Sequence, residues 1–301
     1  MQSELTFNIG DVSQQTGVAS VTLRAWERRY GLIKPQRTPK GHRVYKQANI
    51  DEINHIVSWL NRGVAISKVA TLLASNDVVQ TVPVNDNHWL ITQQKVFVEL
   101  IKLNLRGLNQ LIDLLNKSTP FISLCDNVYQ PLQTLLNDRW QDVGHGYELE
   151  LQLWQQCWQR QITLMTLRAD KQKCHAHCTL VNLGLEQPSL DYWLFHGLLL
   201  QSGAKVDAIN NIKDVTCLNR LNQSSGLPII VFADRRLDAI EIKQLSNLIR
   251  SWAGDLFCAG RVASIHNEQL MELAIKFIGG SASQCWKSTI FQRWLTTIGQ
   301  Q

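Results

Sequence analysis

Residues 8–45, NIGDVSQQTGVASVTLRAWERRYGLIKPQRTPKGHRVY, admit only short elements, because Gly17, Pro35, Pro39 and Gly41 interrupt any longer helical or extended run. Asn8 is placed to cap a first helix carrying Ile9 and Val12, which Gly17 ends. Ser20 reads as the cap of a second helix, in which Leu23, Trp26 and Tyr30 recur at helical spacing and turn inward. Arg24 and Arg28, one turn apart, share its outward face. Two short helices about a glycine turn, the second presenting paired arginines, predict a helix-turn-helix whose second member is a recognition helix.

The next segment predicts a wing. Residues 38–41, TPKG, read as a turn between two short strands, and Arg43 and Tyr45 share a face by period-two alternation. Such a hairpin lays Arg37, Lys40 and Arg43 along phosphates while the helix enters the major groove. Asn49 then reads as the cap of a helix with Asp51 and Glu52 in its first turn, Ile50, Ile53, Val57 and Leu60 as its buried stripe, and Gly63 as its stop. A last helix of this block carries Ile66, Val69, Leu72 and Leu73.

Charge is distributed to match. The 301-residue chain has 30 Lys and Arg against 25 Asp and Glu, and its whole excess of +5 lies in residues 1–75. A polyanion-binding module joined to a neutral body is the expectation. An apolar content of 45% suits an ordered chain of two or three domains. No apolar run is long enough to span a bilayer and no basic start precedes an apolar core, so the cytoplasm is the expected location. Seven cysteines, an odd number spread widely, are expected to be mostly small buried hydrophobes rather than a disulfide framework.

Residues 75–88, SNDVVQTVPVNDNH, read as a linker. Residues 89–117 follow as helix, with Leu90, Val96, Leu100, Leu103, Leu108, Leu111 and Leu115 apolar and Gly107 as a break; an intradomain core is favoured over a partner-helix surface. A second helix covers about 121–137, and Leu153, Trp154 and Trp158 are spaced as a further buried stripe. Strands are expected at 177–184, in the turn-helix-strand unit 189–210, at 227–234 and at 255–260, with an amphipathic helix between the last two. That rhythm indicates a parallel sheet with right-handed crossovers, and the missing G-x-G-x-x-G disfavours a dinucleotide site.

The segment IGDVSQQTGVASVTLRAWERRYGLIKPQRTPKGHRVY resembles the DNA-binding domain of MerR-type transcription regulators over residues 7–75. The LRAWERRYG variant is similar to the branch that holds MlrA-like regulators and the cobalamin-dependent light regulators. Resemblance implies a homodimer on inverted repeats that distorts double-stranded promoter DNA for RNA polymerase, and, for the MlrA-like branch, an activator of biofilm-matrix genes. The expected DNA-facing set is Thr22, Arg24, Trp26, Arg28, Arg37, Lys40, His42, Arg43 and Tyr45, with Thr22, Ala25 and Trp26 as the exposed base-reading candidates and a wholly structural role as the alternative for Trp26.

The expected fold class is thus multidomain. It comprises an α-rich winged helix-turn-helix (1–75), a linker (76–88), a helical bundle module (89–170) and an α/β Rossmann-like parallel-sheet domain of degenerate cobalamin-binding type (171–301), the last serving as a protein-binding or effector-sensing surface. In the cobalamin-binding branch, a Trp followed by Glu-His covers the corrinoid. Trp140 and Glu150 match, but Leu151 stands in the His position. The ligand turn is met by Glu186 with Pro188 where a cobalt-binding His belongs, and His196 reads as a packed or surface residue. No cofactor, metal or catalytic residue is therefore expected. A cobalamin-dependent light-sensing regulator and a corrinoid methyl-carrier enzyme are the alternatives. KCHAHC (173–178) has zinc ligand types, but a strand turns Cys174 and Cys178 away from His175 and His177. Asp234, Arg235 and Arg236 at a strand end read as a solvated turn in preference to an anion site.

Overall fold

A computed structural model describes residues 5–74, 88–142, 147–170, 176–184, 187–221, 226–266, 273 and 275–298. The chain divides into two compact units, Met1–Cys157 and Trp158–Gln301.

The first unit opens with β1 (Thr6–Phe7), α1 (Ile9–Thr16) and α2 (Ser20–Ala25), which continues as a π-helical turn, Trp26–Tyr30. Then come β2 (Gln36–Arg37), β3 (Arg43–Lys46), α3 (Gln47–Asn61) and α4 (Ile66–Ala74). Local chemistry sets these boundaries. Asn8 Oδ1 accepts from the backbone N–H groups of Gly10 at 2.7 Å and Asp11 at 3.1 Å, and Asp11 accepts in return from Asn8 N–H. Gly17 closes α1 at φ 68°, a left-handed conformation costly for any residue with a Cβ. Gly41 N–H donates to Thr38 carbonyl and Thr38 N–H to His42 carbonyl, forming the predicted TPKG turn. The hairpin pairs Gln36 with Val44 and Arg37 with Arg43, and β1 extends it to a sheet ordered β1-β3-β2. Val12, Val18, Leu23, Trp26, Leu32, Ile33, Tyr45, Ile53, Ile56 and Val69 form one core beneath these elements.

Two caps differ from expectation. Ser20 does not cap α2; its hydroxyl reaches back to the Ile9 carbonyl at 3.5 Å. Asn49 lies inside the first turn of α3, where its Oδ1 accepts from Lys46 N–H at 3.0 Å.

Helices α5 (His88–Ile101), α6 (Leu105–Ser118) and α7 (Phe121–Leu124) follow. Helix α7 passes through a π-helical turn, Cys125–Tyr129, into α8 (Gln130–Asp142). Helix α9 (Tyr147–Ala169) completes the series. The break between α5 and α6 falls at Leu103, φ 53°, and not at Gly107. Asn104 explains the shift: its side chain caps α6 by accepting from Gly107 N–H at 3.1 Å. Val96, Leu100 and Leu108 are buried as expected, whereas Leu90 and Leu103 are exposed. Residues 75–87, most of the expected linker, lie outside the described residues.

The second unit holds a five-stranded sheet of β4 (Ala176–Leu183), β5 (Ala204–Ile212), β6 (Ile229–Phe232), β7 (Leu256–Ala259) and β8 (Lys276–Gly279). Every pairing is parallel and the order is β5-β4-β6-β7-β8. The last strand is not anticipated by the sequence pattern. Helices α10 (Leu190–Gln201), α11 (Ala239–Ser251), α12 (Arg261–Ile265), α13 (Ala282–Lys287) and α14 (Thr289–Ile298) accompany the sheet. Side chains alternate across the strands. Val181, Ile229, Val231, Leu256 and Cys258 join Leu245 and Leu248 of α11 in one core. Phe232 and Phe257 meet an aromatic cluster: the Phe232 ring centroid lies 5.6 Å from that of Tyr192 in α10, and the Phe257 centroid lies 5.8 Å from that of Phe291 in α14. Helices thus cover both faces, as strands this apolar require. No helix among the described residues is long and apolar enough to cross a membrane.

Candidate nucleic-acid interface

The cations of the helix-turn-helix fall into two groups. Arg24 and Arg28 on the second helix, with Lys40 and His42 at the hairpin tip, are exposed, and none has an ion-pair partner among the described residues. Arg37 and Arg43 differ, because both are held by Glu27 of the π-helical turn. Arg37 Nη2 donates to Glu27 Oε1 at 2.8 Å and Arg43 Nε to Oε2 at 2.5 Å. Arg37 Nη1 also reaches the Gly41 carbonyl at 3.3 Å. Glu27 is well shielded, its side chain 18% exposed. That burial alone would raise its pKa, but the bonds and charges of Arg43 and Arg37 outweigh it and hold the carboxyl below its usual range. The recognition helix and the wing are therefore tied by a charged triad.

Three of the expected DNA-facing residues are not at the surface. Thr22 and Trp26, anticipated among the exposed base readers, are fully buried, and Tyr45 is 1% exposed. The reason is helical phase: Thr22 and Trp26 flank Leu23 on the inward face, and Tyr45 points from β3 into the same core. Burial pushes the Tyr45 hydroxyl pKa up, so it stays neutral. Trp26 has a specific partner: its indole N–H donates to the Ser118 carbonyl at the end of α6, 2.7 Å away. A second bond, Ser123 hydroxyl to Asn61 Oδ1 at 2.7 Å, joins α7 to the end of α3. The helix-turn-helix and the helices that follow it are thus locked together through buried polar contacts. Of the helix positions from Val21 to Arg29, Val21, Arg24, Ala25, Glu27, Arg28 and Arg29 retain surface.

Glu27 is absent from the expected set, yet the sequence carries a signal for it. Between Asp11 and Asp51 it is the only acidic residue, set among eight Lys and Arg. A lone carboxylate kept inside a cationic surface has to be structurally committed.

The remaining candidates are committed to their own elements. Glu150 is bound bidentately by Arg139, at 3.0 and 2.8 Å, and accepts from the Trp140 indole at 3.0 Å. The Arg139 bonds, foremost, keep its carboxyl below the usual range. Pro188 is buried and its side chain offers no lone pair, and Glu186 lies outside the described residues. The residues present therefore do not fit a cobalt-ligated corrinoid: the proline side chain at the ligand position has no donor atom. His196 is 3% exposed, and neither ring nitrogen has a hydrogen-bond partner among the described residues. Cys174 and His175 lie outside the described residues, while His177 Nε2 lies 2.7 Å from Asp207 and Cys178 is buried. Asp234 accepts from Arg261 N–H at 3.2 Å. Arg235 forks onto Glu241 at 2.9 and 2.5 Å, and Arg236 is exposed. Gly260 nearby adopts φ +86°, where an added Cβ would stand 2.7 Å from the Ala233 carbonyl. This strand end is a tightly built turn.

Comparison with known proteins agrees with the first unit. Residues 7–76 match the family described as MerR HTH family regulatory protein. The HTH-type transcriptional regulator MlrA of Salmonella typhimurium is 38% identical over 130 residues, which is 43% of this chain and 51% of that protein. MlrA of Escherichia coli is 39% identical over 131 residues, with the same shares. The HTH-type transcriptional repressor CarH of Myxococcus xanthus is 39% identical over 71 residues, 24% of each chain. The matched stretch spans about half the length of the MlrA relatives. Set beside the helix, turn and wing described above, these matches identify residues 7–76 as a MerR HTH family domain.

Proposed function

We propose that the chain is a DNA-binding transcription regulator that grips promoter DNA as a homodimer. Helix α2 and the turn after it enter the major groove, and the hairpin of β2 and β3 follows the backbone. One observation carries the reading: Arg24, Arg28 and Lys40 project unpaired from two adjoining elements, over a core that fixes both. Cations so placed displace counterions from phosphate, while Arg24 and Arg28 can also reach base edges. A single head of this size offers too little contact for tight specific binding, which supports a two-fold dimer on an inverted repeat. Activation by distorting the promoter, so that RNA polymerase can use it, is the mode that the resemblance to MlrA-like regulators supports.

The remainder is read as regulatory. Residues 1–75 form the head, 76–88 the linker, 89–170 a helical module and 171–301 a Rossmann-like domain of degenerate cobalamin-binding type. The strand order β5-β4-β6-β7-β8 supports this last assignment. Glu150, already held by Arg139 and Trp140, and Pro188, whose side chain has no donor, support a role that needs no corrinoid, such as binding a protein or another effector.

Selection from a pool of random duplexes tests the function. The full chain is expected to enrich an inverted repeat with half-sites about one helical turn apart, or a multiple of it. Recovery of unrelated sequences, at the affinity of the starting pool, contradicts the proposal.

A further inference from the structure

Glu27 is the one carboxylate in a surface otherwise built from cations, and it spends both oxygens on the wing. The wing needs such a tie. β3 is held by β1 and by Tyr45 in the core, but the outer strand β2 has only two paired positions, Gln36–Val44 and Arg37–Arg43, and both its residues are exposed, so a short edge strand gains from a further hold. Arg43 is largely shielded, at 21% side-chain exposure, whereas Arg37 is 51% exposed. The pairing also changes the charge that the wing presents. Two arginines with one ionised glutamate offer a net single positive charge to a phosphate backbone, in place of two. Non-specific grip is electrostatic and grows with each phosphate neutralised, so Glu27 lowers that grip without touching the exposed Arg24 and Arg28.

Resting on the DNA-binding reading above, we propose that Glu27 is a positioning residue that fixes the wing arginines against the recognition helix and moderates their hold on DNA of any sequence. It acts through Arg37 and Arg43. Its removal is therefore expected to strengthen binding to non-cognate DNA, the opposite of what removing a supporting side chain usually does.

The test is the affinity of the full chain for a mixed-sequence 30-base-pair duplex, measured across salt concentrations. Glu27→Gln keeps the shape of the side chain and removes the charge. Its plot of log affinity against log salt is expected to be steeper than wild type by about 1, with several-fold tighter binding at low salt. Glu27→Asp retains the charge and is expected to restore the wild-type slope. Glu27→Met, uncharged and of similar volume, gives the same reading as the Gln variant should that one unfold. A slope that is unchanged or shallower without the charge overturns the proposal, as does an Asp variant as steep as the Gln variant. If wild type shows no salt-dependent binding to the duplex at all, the DNA-binding reading itself fails and takes this one with it.

Discussion

Trp26→Ala is expected to destabilise the first unit by about 4 kcal/mol, lowering its thermal midpoint by roughly 8–16 °C for a unit of this size. Two losses combine. Trp26 is fully buried among Leu23, Tyr45 and Ile53, and truncating it leaves a cavity that rigid neighbours cannot fill. The Ser118 carbonyl is also deprived of the indole N–H, and a buried acceptor without a partner carries a desolvation penalty of about 1–3 kcal/mol. Trp26→Phe separates the two, because it keeps most of the ring and abolishes the bond; about 1–3 kcal/mol is expected there. Thermal unfolding followed by circular dichroism checks both. A midpoint unchanged in the Ala variant would place Trp26 at the surface, as a base reader.

His196 is expected to govern much of the acid sensitivity of the second unit. Burial without a partner pulls its pKa down to about 4, from an ordinary value of 6.5. The sign follows from linkage. Above pH 6.5 the ring is neutral in both folded and unfolded chains. Below it the unfolded chain takes up a proton that the folded chain refuses until about pH 4, so stability falls across that window. The expected loss is about 2 kcal/mol between roughly pH 7 and pH 5. His196→Leu abolishes this component and also removes two buried nitrogens that lack partners, so the variant is expected to be more stable throughout and less sensitive to acid. Urea unfolding at about pH 7 and pH 5 measures it. Equal pH dependence in wild type and variant would show that the ring is not buried as a neutral group.

The parts of the fold that are legible in the sequence are those set by local chemistry. The Asn8 cap, Gly17, and the TPKG turn each act within four residues, and each forms as the pattern predicts; the answering bond from Asp11 is added by the structure. The strands with continuous apolar runs are legible for a similar reason, since β4 and β6 are buried on both faces. Thr6–Phe7 and Lys276–Gly279 escape such a reading because strands of two and four residues, one with a lysine and a glycine, show no pattern of their own; their neighbours in the sheet hold them. The break at Leu103 escapes it because leucine carries no signal for positive φ, and Asn104 supplies the cap that makes it tolerable.

The interface is half legible. The outward phase of Arg24 and Arg28 follows from helical spacing, and so does the inward phase of Trp26, although spacing alone leaves its neighbour Thr22 assigned to the surface. What spacing does not give is the partner at the far end of each side chain. Trp26 and Ser118 are 92 residues apart, and Glu27 reaches residues 10 and 16 positions away. Such bonds depend on how elements pack, which no local period encodes.

The proposed grip on a duplex comes from exposed cations on two adjoining elements. Its most direct test compares wild type with the Arg24→Ala/Arg28→Ala double variant in duplex binding across a salt series, after both are shown to unfold at the same temperature. Weaker binding is expected in the double variant, with a slope shallower by about 2, roughly 0.9 for each phosphate no longer neutralised. The same affinity and the same slope in both proteins would contradict it.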